Sequence, residues 1–158
     1  MNEAATMPRT QDITVEDVFS HAPKVIWKAL TDGSLIRRWM MEPVGFAPVV
    51  GTRFTFHTKP AGAWDGTIQC EVLEVVENER LAYRWRGGHE ANVGYGSRLD
   101  TVVTFTLAPA DSGTRLRVVH SGFVVPANDT AYANMSQGWP VCFDRLDGVS
   151  TTGAQLLN

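Results

Sequence analysis

The spacing of apolar residues changes period more than once along the chain. From Asp12 to Phe19, Ile13, Val15 and Phe19 recur among polar neighbours, which predicts a strand with one buried face. Residues 1–11 are polar and unpatterned, and are expected to form a disordered or extended tail before one domain spanning 12–158. Pro23 suits the first turn of a helix, and Val25, Ile26, Ala29 and Leu30 give it an apolar stripe. That stripe stops at Asp32 and Gly33, where glycine is expected to supply a left-handed cap. Ser34 is placed to cap a second short helix through Trp39, and Pro43, Gly45, Pro48 and Gly51 then break the chain into a loop.

From Arg53 to Ser121 the period becomes two, and five runs read as strands: Arg53 to Thr58, Thr67 to Glu77, Arg80 to Arg86, Ser97 to Ala108 and Thr114 to Ser121. Asn78 with Glu79 predicts one tight hairpin and the segment Pro109 to Gly113 another, so the runs they join pair antiparallel. Gly87 to Gly96 is a longer glycine-rich loop, able to move. After Pro126 the period is 3.6, with Tyr132, Met135, Trp139, Cys142, Phe143, Leu146 and Val149 on one stripe. This predicts a long helix, capped by Asp129 or Thr130 and kinked by Pro140 near Ser136.

Strand alternation also sorts side chains by face. Leu81, Tyr83 and Trp85 turn one way, as do Leu99, Thr101, Val103, Phe105 and Leu107, then Leu116, Val118 and His120, with Phe54 and Phe56 on the short strand. Arg84, Arg86, Arg98, Asp100, Arg115 and Arg117 take the opposite, solvent side. One antiparallel sheet thus has an apolar face, and the carboxy-terminal helix is the long element available to cover it. The fold class is α+β, a curved sheet gripping one helix. The alternation leaves open whether side chains fill the space between them or leave a hollow.

Composition narrows the function. A chain of 158 residues with 44% hydrophobic and 20% charged residues is expected to be globular. Its net charge of -3 offers no general attraction for nucleic acid or anionic lipid, so neither is expected as a partner. No apolar run approaches membrane-spanning length, and the amino terminus lacks a signal-peptide pattern. Cys70 and Cys142 stand apart and read as buried free thiols, consistent with a cytoplasmic location.

Several residues carry a resemblance. Ala22-Pro23, Val25, Trp27, Ala29-Leu30-Thr31-Asp32 and Trp39, followed late in the chain by Gly138-Trp139-Pro140 and Leu146, resemble the bacterial family named for activators of the 90-kDa heat-shock protein ATPase. That family belongs to the START, or SRPBCC, superfamily, which also contains polyketide cyclase-like proteins. The resemblance implies a helix-grip fold, in which a sheet of six or seven strands wraps a long helix around a deep apolar cavity.

Within that frame Trp39, Phe54, Phe56, Trp64, Tyr83, Trp85, Thr101, Val103, Val118, His120, Met135, Trp139 and Phe143 are the candidate lining of a site for a small hydrophobic or aromatic molecule. Such a cavity is expected to measure roughly 300–1,000 Å³. Asp17 and His120 are the ionisable residues whose register points inward, and a carboxylate facing an imidazole can position or deprotonate a substrate. The alternatives are that a bulge turns Asp17 outward or that a core hydroxyl such as that of Thr101 satisfies His120. The segment from Lys59 to Gly66 holds Trp64 as either a lid or a residue tucked onto the sheet. No nucleophile elbow or metal-ligand spacing is present, and no cofactor is implied. Ligand binding is the leading expectation and a cyclase- or hydrolase-like reaction the runner-up. A chaperone-associated module is the third reading, and an exposed sheet edge leaves a homodimer open.

Overall fold

The period-two runs and the turns between them form one antiparallel sheet. The structure is a computed structural model that describes residues 9–157, with 152–157 described by their backbone alone. The order is β1 (Arg9–Phe19), α1 (Pro23–Thr31), α2 (Gly33–Trp39), β2 (Arg53–His57), β3 (Thr67–Val76), β4 (Arg80–Gly87), β5 (Leu99–Ala110), β6 (Gly113–Val125) and α3 (Asp129–Leu157). The six strands lie in the order β1-β6-β5-β4-β3-β2. Each of β2 to β6 pairs with its neighbour in sequence, while β1 crosses over to pair with β6. The helix α3 packs against β1 and β6, with α1 and α2 beside it. None of the described helices is long and apolar enough to cross a membrane.

Several boundaries differ from the sequence reading, each for a local reason. Residues 1–8 of the expected tail lie outside the described residues, but Arg9 to Gln11 belong to β1, where they pair with Val125, Val124 and Phe123. They find partners because β6 continues past Ser121. Gly122, at φ 100°, carries the strand through a bulge in which Ser121 and Gly122 face the single residue Asp12, and its N–H donates to Asp12 Oδ1 at 3.2 Å. The bulge resets the alternation, so Phe123 joins His120 on the buried side, with ring centroids 4.6 Å apart.

The turn between the first two helices is also built differently. Gly33 is the first residue of α2, and Asp32 both ends α1 and caps α2, accepting from the Ser34 N–H at 2.9 Å and the Ser34 hydroxyl at 2.6 Å. Those bonds and Lys28 hold the Asp32 carboxyl below its ordinary pKa.

At the other end of the chain, Asn128 rather than Asp129 or Thr130 secures the start of α3. Its Oδ1 accepts from Val124 N–H at 2.9 Å, and its Nδ2 donates to Ser97 Oγ at 3.1 Å and to the Arg98 carbonyl at 2.8 Å. Pro140 sits inside α3 without ending it.

The centre of the sheet–helix interface is solid. Trp39, Phe105 and Trp139 pack edge to face with centroid distances of 6.0 and 5.8 Å, and a second aromatic run passes from Tyr83 through Phe54 and Phe56 to Trp85. Val103, Val118 and Leu116 are fully buried beside them. Val118 lies opposite Phe105 on one side and Val15 on the other. Because Val118 is 0% exposed among fully buried neighbours, Val118→Trp is expected to overpack the core and destabilise the fold by about 1–3 kcal/mol or more. Thermal melting checks this, at roughly 2–5 °C per kcal/mol for a chain of this size. An unchanged melting point would show a void beside Val118 able to take the indole.

Candidate functional site

The close packing gives out at one end of the interface, where the amino-terminal half of α3 passes over the ends of β3, β4 and β5. An apolar pocket of about 230 Å³ lies there, smaller than the sequence reading anticipated. The sheet contributes Ile68, Trp85 and Leu99; α3 contributes Ala131, Met135, Gly138, Trp139 and Cys142. Met40 and Met41, just after α2, close a third side. No lining residue carries a charged side chain, and the polar groups are few, chiefly Thr58, Ser97 and Asn134.

Two loops form the remaining wall, and they are sewn together. Asn92 Nδ2 donates to the Ala61 carbonyl at 2.7 Å, Ala63 N–H donates to Asn92 Oδ1 at 3.1 Å, and the Tyr95 hydroxyl donates to the Lys59 carbonyl at 2.8 Å. Trp64 is half-buried, with its Nε1 donating to the Thr67 carbonyl at 2.9 Å and its ring 6.0 Å from that of Tyr95. Glycine is required where this segment turns: Gly88 has φ 75°, and a Cβ there would stand 2.0 Å from the Ser97 carbonyl oxygen. The Gly87 to Gly96 segment, expected as a mobile loop, is thus tied to its neighbour by side-chain hydrogen bonds.

His120 stands at the boundary between pocket and solid core. It is 0% exposed, and both ring nitrogens are engaged. Trp139 Nε1–H donates to Nδ1 at 3.2 Å, and Nε2 lies 2.7 Å from Thr101 Oγ1, whose own proton goes to the Trp85 carbonyl at 2.9 Å. The Thr101 hydroxyl has a single proton, so His120 Nε2 is the donor and Nδ1 the acceptor. Burial pushes the imidazole down from its usual 6.5 to about 3, so the ring is neutral. A neutral histidine whose lone pair accepts from Trp139 has none left with which to take a proton from a substrate.

The runner-up catalytic pair is therefore not assembled. Asp17 shares the face of its register partner Leu116, but on the edge strand, where it is exposed and accepts from Val18 N–H at 2.8 Å. His120 is opposite Ile13, four residues away, about 13 Å along the strand. Position along an edge strand, not a bulge at Asp17, leaves the carboxylate outside. Burial pushes the Cys70 thiol up to about 12 and raises that of Cys142, which disfavours a thiolate at either. Among the described residues no group of His, Cys, Asp and Glu is placed to hold a metal ion.

Of the candidate lining, Trp64, Trp85, Met135 and Trp139 do line the pocket. Trp39, Phe54, Phe56, Tyr83, Thr101, Val103, Val118, His120 and Phe143 instead belong to the buried interior beside it. Met40, Met41, Tyr95 and Gly138 also line the pocket and lie outside that candidate set. The chain signals them only weakly, through a methionine pair after a helix and an aromatic residue between two glycines.

The depressed His120 pKa makes stability depend on pH. The unfolded chain takes up a proton below about 6.5 and the folded one does not until about 3, so this contribution is complete above pH 6.5 and declines as pH falls through that window. Between pH 6.5 and 5 the loss is expected to reach roughly 2 kcal/mol. Glu16, Asp32 and Asp65, with lowered carboxyl pKa values, lose their contributions only at still lower pH. Denaturant unfolding at both pH values checks this, with His120→Gln expected to remove that part of the slope. An equal slope in the variant would place the titration elsewhere.

Comparison with known proteins agrees with this architecture. The family described as "Activator of Hsp90 ATPase homolog 1-like protein" matches residues 20–150. Protein MLL2253 from Mesorhizobium loti has a similar structure, with TM-score 0.76, 39% identity, and 88% of this chain and 96% of that one covered. The Aha1 dimer from Colwellia psychrerythraea shares the fold at TM-score 0.69 and 20% identity, over 90% of this chain and 98% of that one. DynU16, from the dynemicin biosynthetic locus, shares it at TM-score 0.67 and 21% identity, over 90% of this chain and 48% of that one. A comparison with curated proteins finds no match. The helix-grip architecture and the family match together show that this chain belongs to the family of activator of Hsp90 ATPase homolog 1-like proteins.

Proposed function

We propose that the protein binds a small, uncharged, apolar or aromatic molecule in the pocket between α3 and the ends of β3 to β5. The observation that carries this reading is the local failure of close packing in an otherwise filled interface, in a place walled by methionine and tryptophan and free of charged side chains. An ion entering such a wall would lose its hydration without gaining a counter-charge, which disfavours charged ligands. Methionine adapts its shape, and indole rings offer flat faces, so the wall suits a planar apolar guest.

A cyclase- or hydrolase-like reaction through Asp17 and His120 loses its support, because the two residues are apart and the imidazole is fully bonded. The chaperone-associated reading rests on the family description alone. A homodimer is supported by the position of β1 at the edge of the sheet and by the dimer formed by the Colwellia relative.

Gly138 provides the test. It lines the pocket from within α3, and a Cβ built on it meets no heavy atom within 4 Å. Gly138→Leu is therefore expected to fold with an unchanged or raised melting temperature, since glycine inside a helix costs up to about 1 kcal/mol against better helix formers. Its side chain should occupy the pocket, and titration with an environment-sensitive apolar dye should show binding lost or at least tenfold weaker than wild type. A well-folded Gly138→Leu variant that binds the dye as tightly as wild type would move the binding site elsewhere.

A further inference from the structure

Three tryptophans line the pocket, and they differ in what their indole N–H groups do. Trp64 Nε1 donates to the Thr67 carbonyl, and Trp139 Nε1 donates to His120 Nδ1. Trp85 is 4% exposed, and its Nε1 has no hydrogen-bond partner. A buried donor without an acceptor is disfavoured, and native interiors contain few of them. Among the described residues, the other buried side-chain nitrogen without a hydrogen bond, Arg84 Nε, stands 3.6 Å from Asp100 Oδ1 and so has a counter-charge. Trp85 has no such compensation.

We infer that the Trp85 indole N–H is the polar recognition element of the pocket, and that the ligand is an uncharged, largely apolar molecule bearing a hydrogen-bond acceptor such as a ketone, ester or ether oxygen. This rests on the ligand-binding reading above and adds to it the acceptor. The indole nitrogen is itself covered in the structure, so the acceptor meets it as the wall adjusts. Met40, Met41 and Met135 supply the adjustable part of that wall. Trp85 cannot swing freely toward another acceptor, because its ring packs 5.6 Å from Phe56 and 5.3 Å from His120 and its carbonyl is held by Thr101. The indole ring is thus held in place in the wall, as a specificity determinant requires. A carboxylate also accepts hydrogen bonds, but nothing in the lining neutralises its charge.

The test uses acetophenone and ethylbenzene, two probes of similar shape of which only the first carries a strong acceptor. Both are titrated into wild type and Trp85→Phe with the tryptophan indoles ¹⁵N-labelled. Acetophenone is expected to move the Trp85 indole proton downfield as it saturates, and ethylbenzene to leave it without a downfield shift. Trp85→Phe should weaken acetophenone about tenfold and change ethylbenzene little. If the variant does not fold, the wild-type indole shift decides alone. Binding of both probes with no downfield shift at Trp85, or equal weakening of both in the variant, would overturn the donor assignment while leaving the pocket as a site. Binding of neither probe would overturn the assignment together with the ligand-binding reading.

Discussion

The hydrogen-bond chain from the Trp139 indole through His120 and Thr101 to the Trp85 carbonyl ties the long helix to the sheet where the core ends and the pocket begins. Each member can satisfy its neighbour only if His120 is neutral and protonated on Nε2. Burial enforces that state by disfavouring the imidazolium. A fully satisfied buried network of this kind fixes orientation, whereas a partly satisfied one would be costly. Trp85 and Trp139, both in the pocket wall, are therefore set by one device.

To one side of this chain, aromatic rings meet edge to face and fill the concave surface, with Trp39, Phe105 and Trp139 at its centre. To the other side, the wall is made by an α3 segment with a glycine at Gly138, by the end of α2 and by two loops tied through Asn92. Asn128 anchors the start of α3 to the strand ends beneath it, so the helix cannot easily settle into the space. The pocket persists because its borders are held by hydrogen bonds rather than by what fills it.

Much of this architecture is legible in the chain. Period-two alternation assigned Leu81, Tyr83, Trp85, Val103 and Val118 to the buried face because a pleated strand turns every second side chain the same way. The rest needs information that alternation does not carry. Periodicity, two along the strands and 3.6 along α3, gives the face of a residue but not its place along the interface, so Phe54, Val118 and Phe143 group with Trp85 and Met135 although only the latter two border the pocket. It gives Asp17 the correct side of the sheet but not the lack of cover at an edge strand. The Gly122 bulge hid the continuation of β6, and with it the inward turn of Phe123 and the pairing of Arg9 to Gln11. Met40, Met41 and Tyr95 lie outside the regular elements, and their positions depend on loops folding back over the sheet end.

Among the described residues, the interface is expected to accept a guest beside α3, between Trp85 and Trp139, while its centre stays filled. The decisive experiment is methyl-resolved NMR of methionine-, leucine- and valine-labelled protein titrated with a small aromatic such as benzene. Ring currents are expected to shift the methyls of Met40, Met41 and Met135 together, with one saturation curve, while those of Leu81, Val103 and Val118 hold still. Shifts concentrated at Leu81, Val103 and Val118, with the three methionines unmoved, would contradict this placement of the guest.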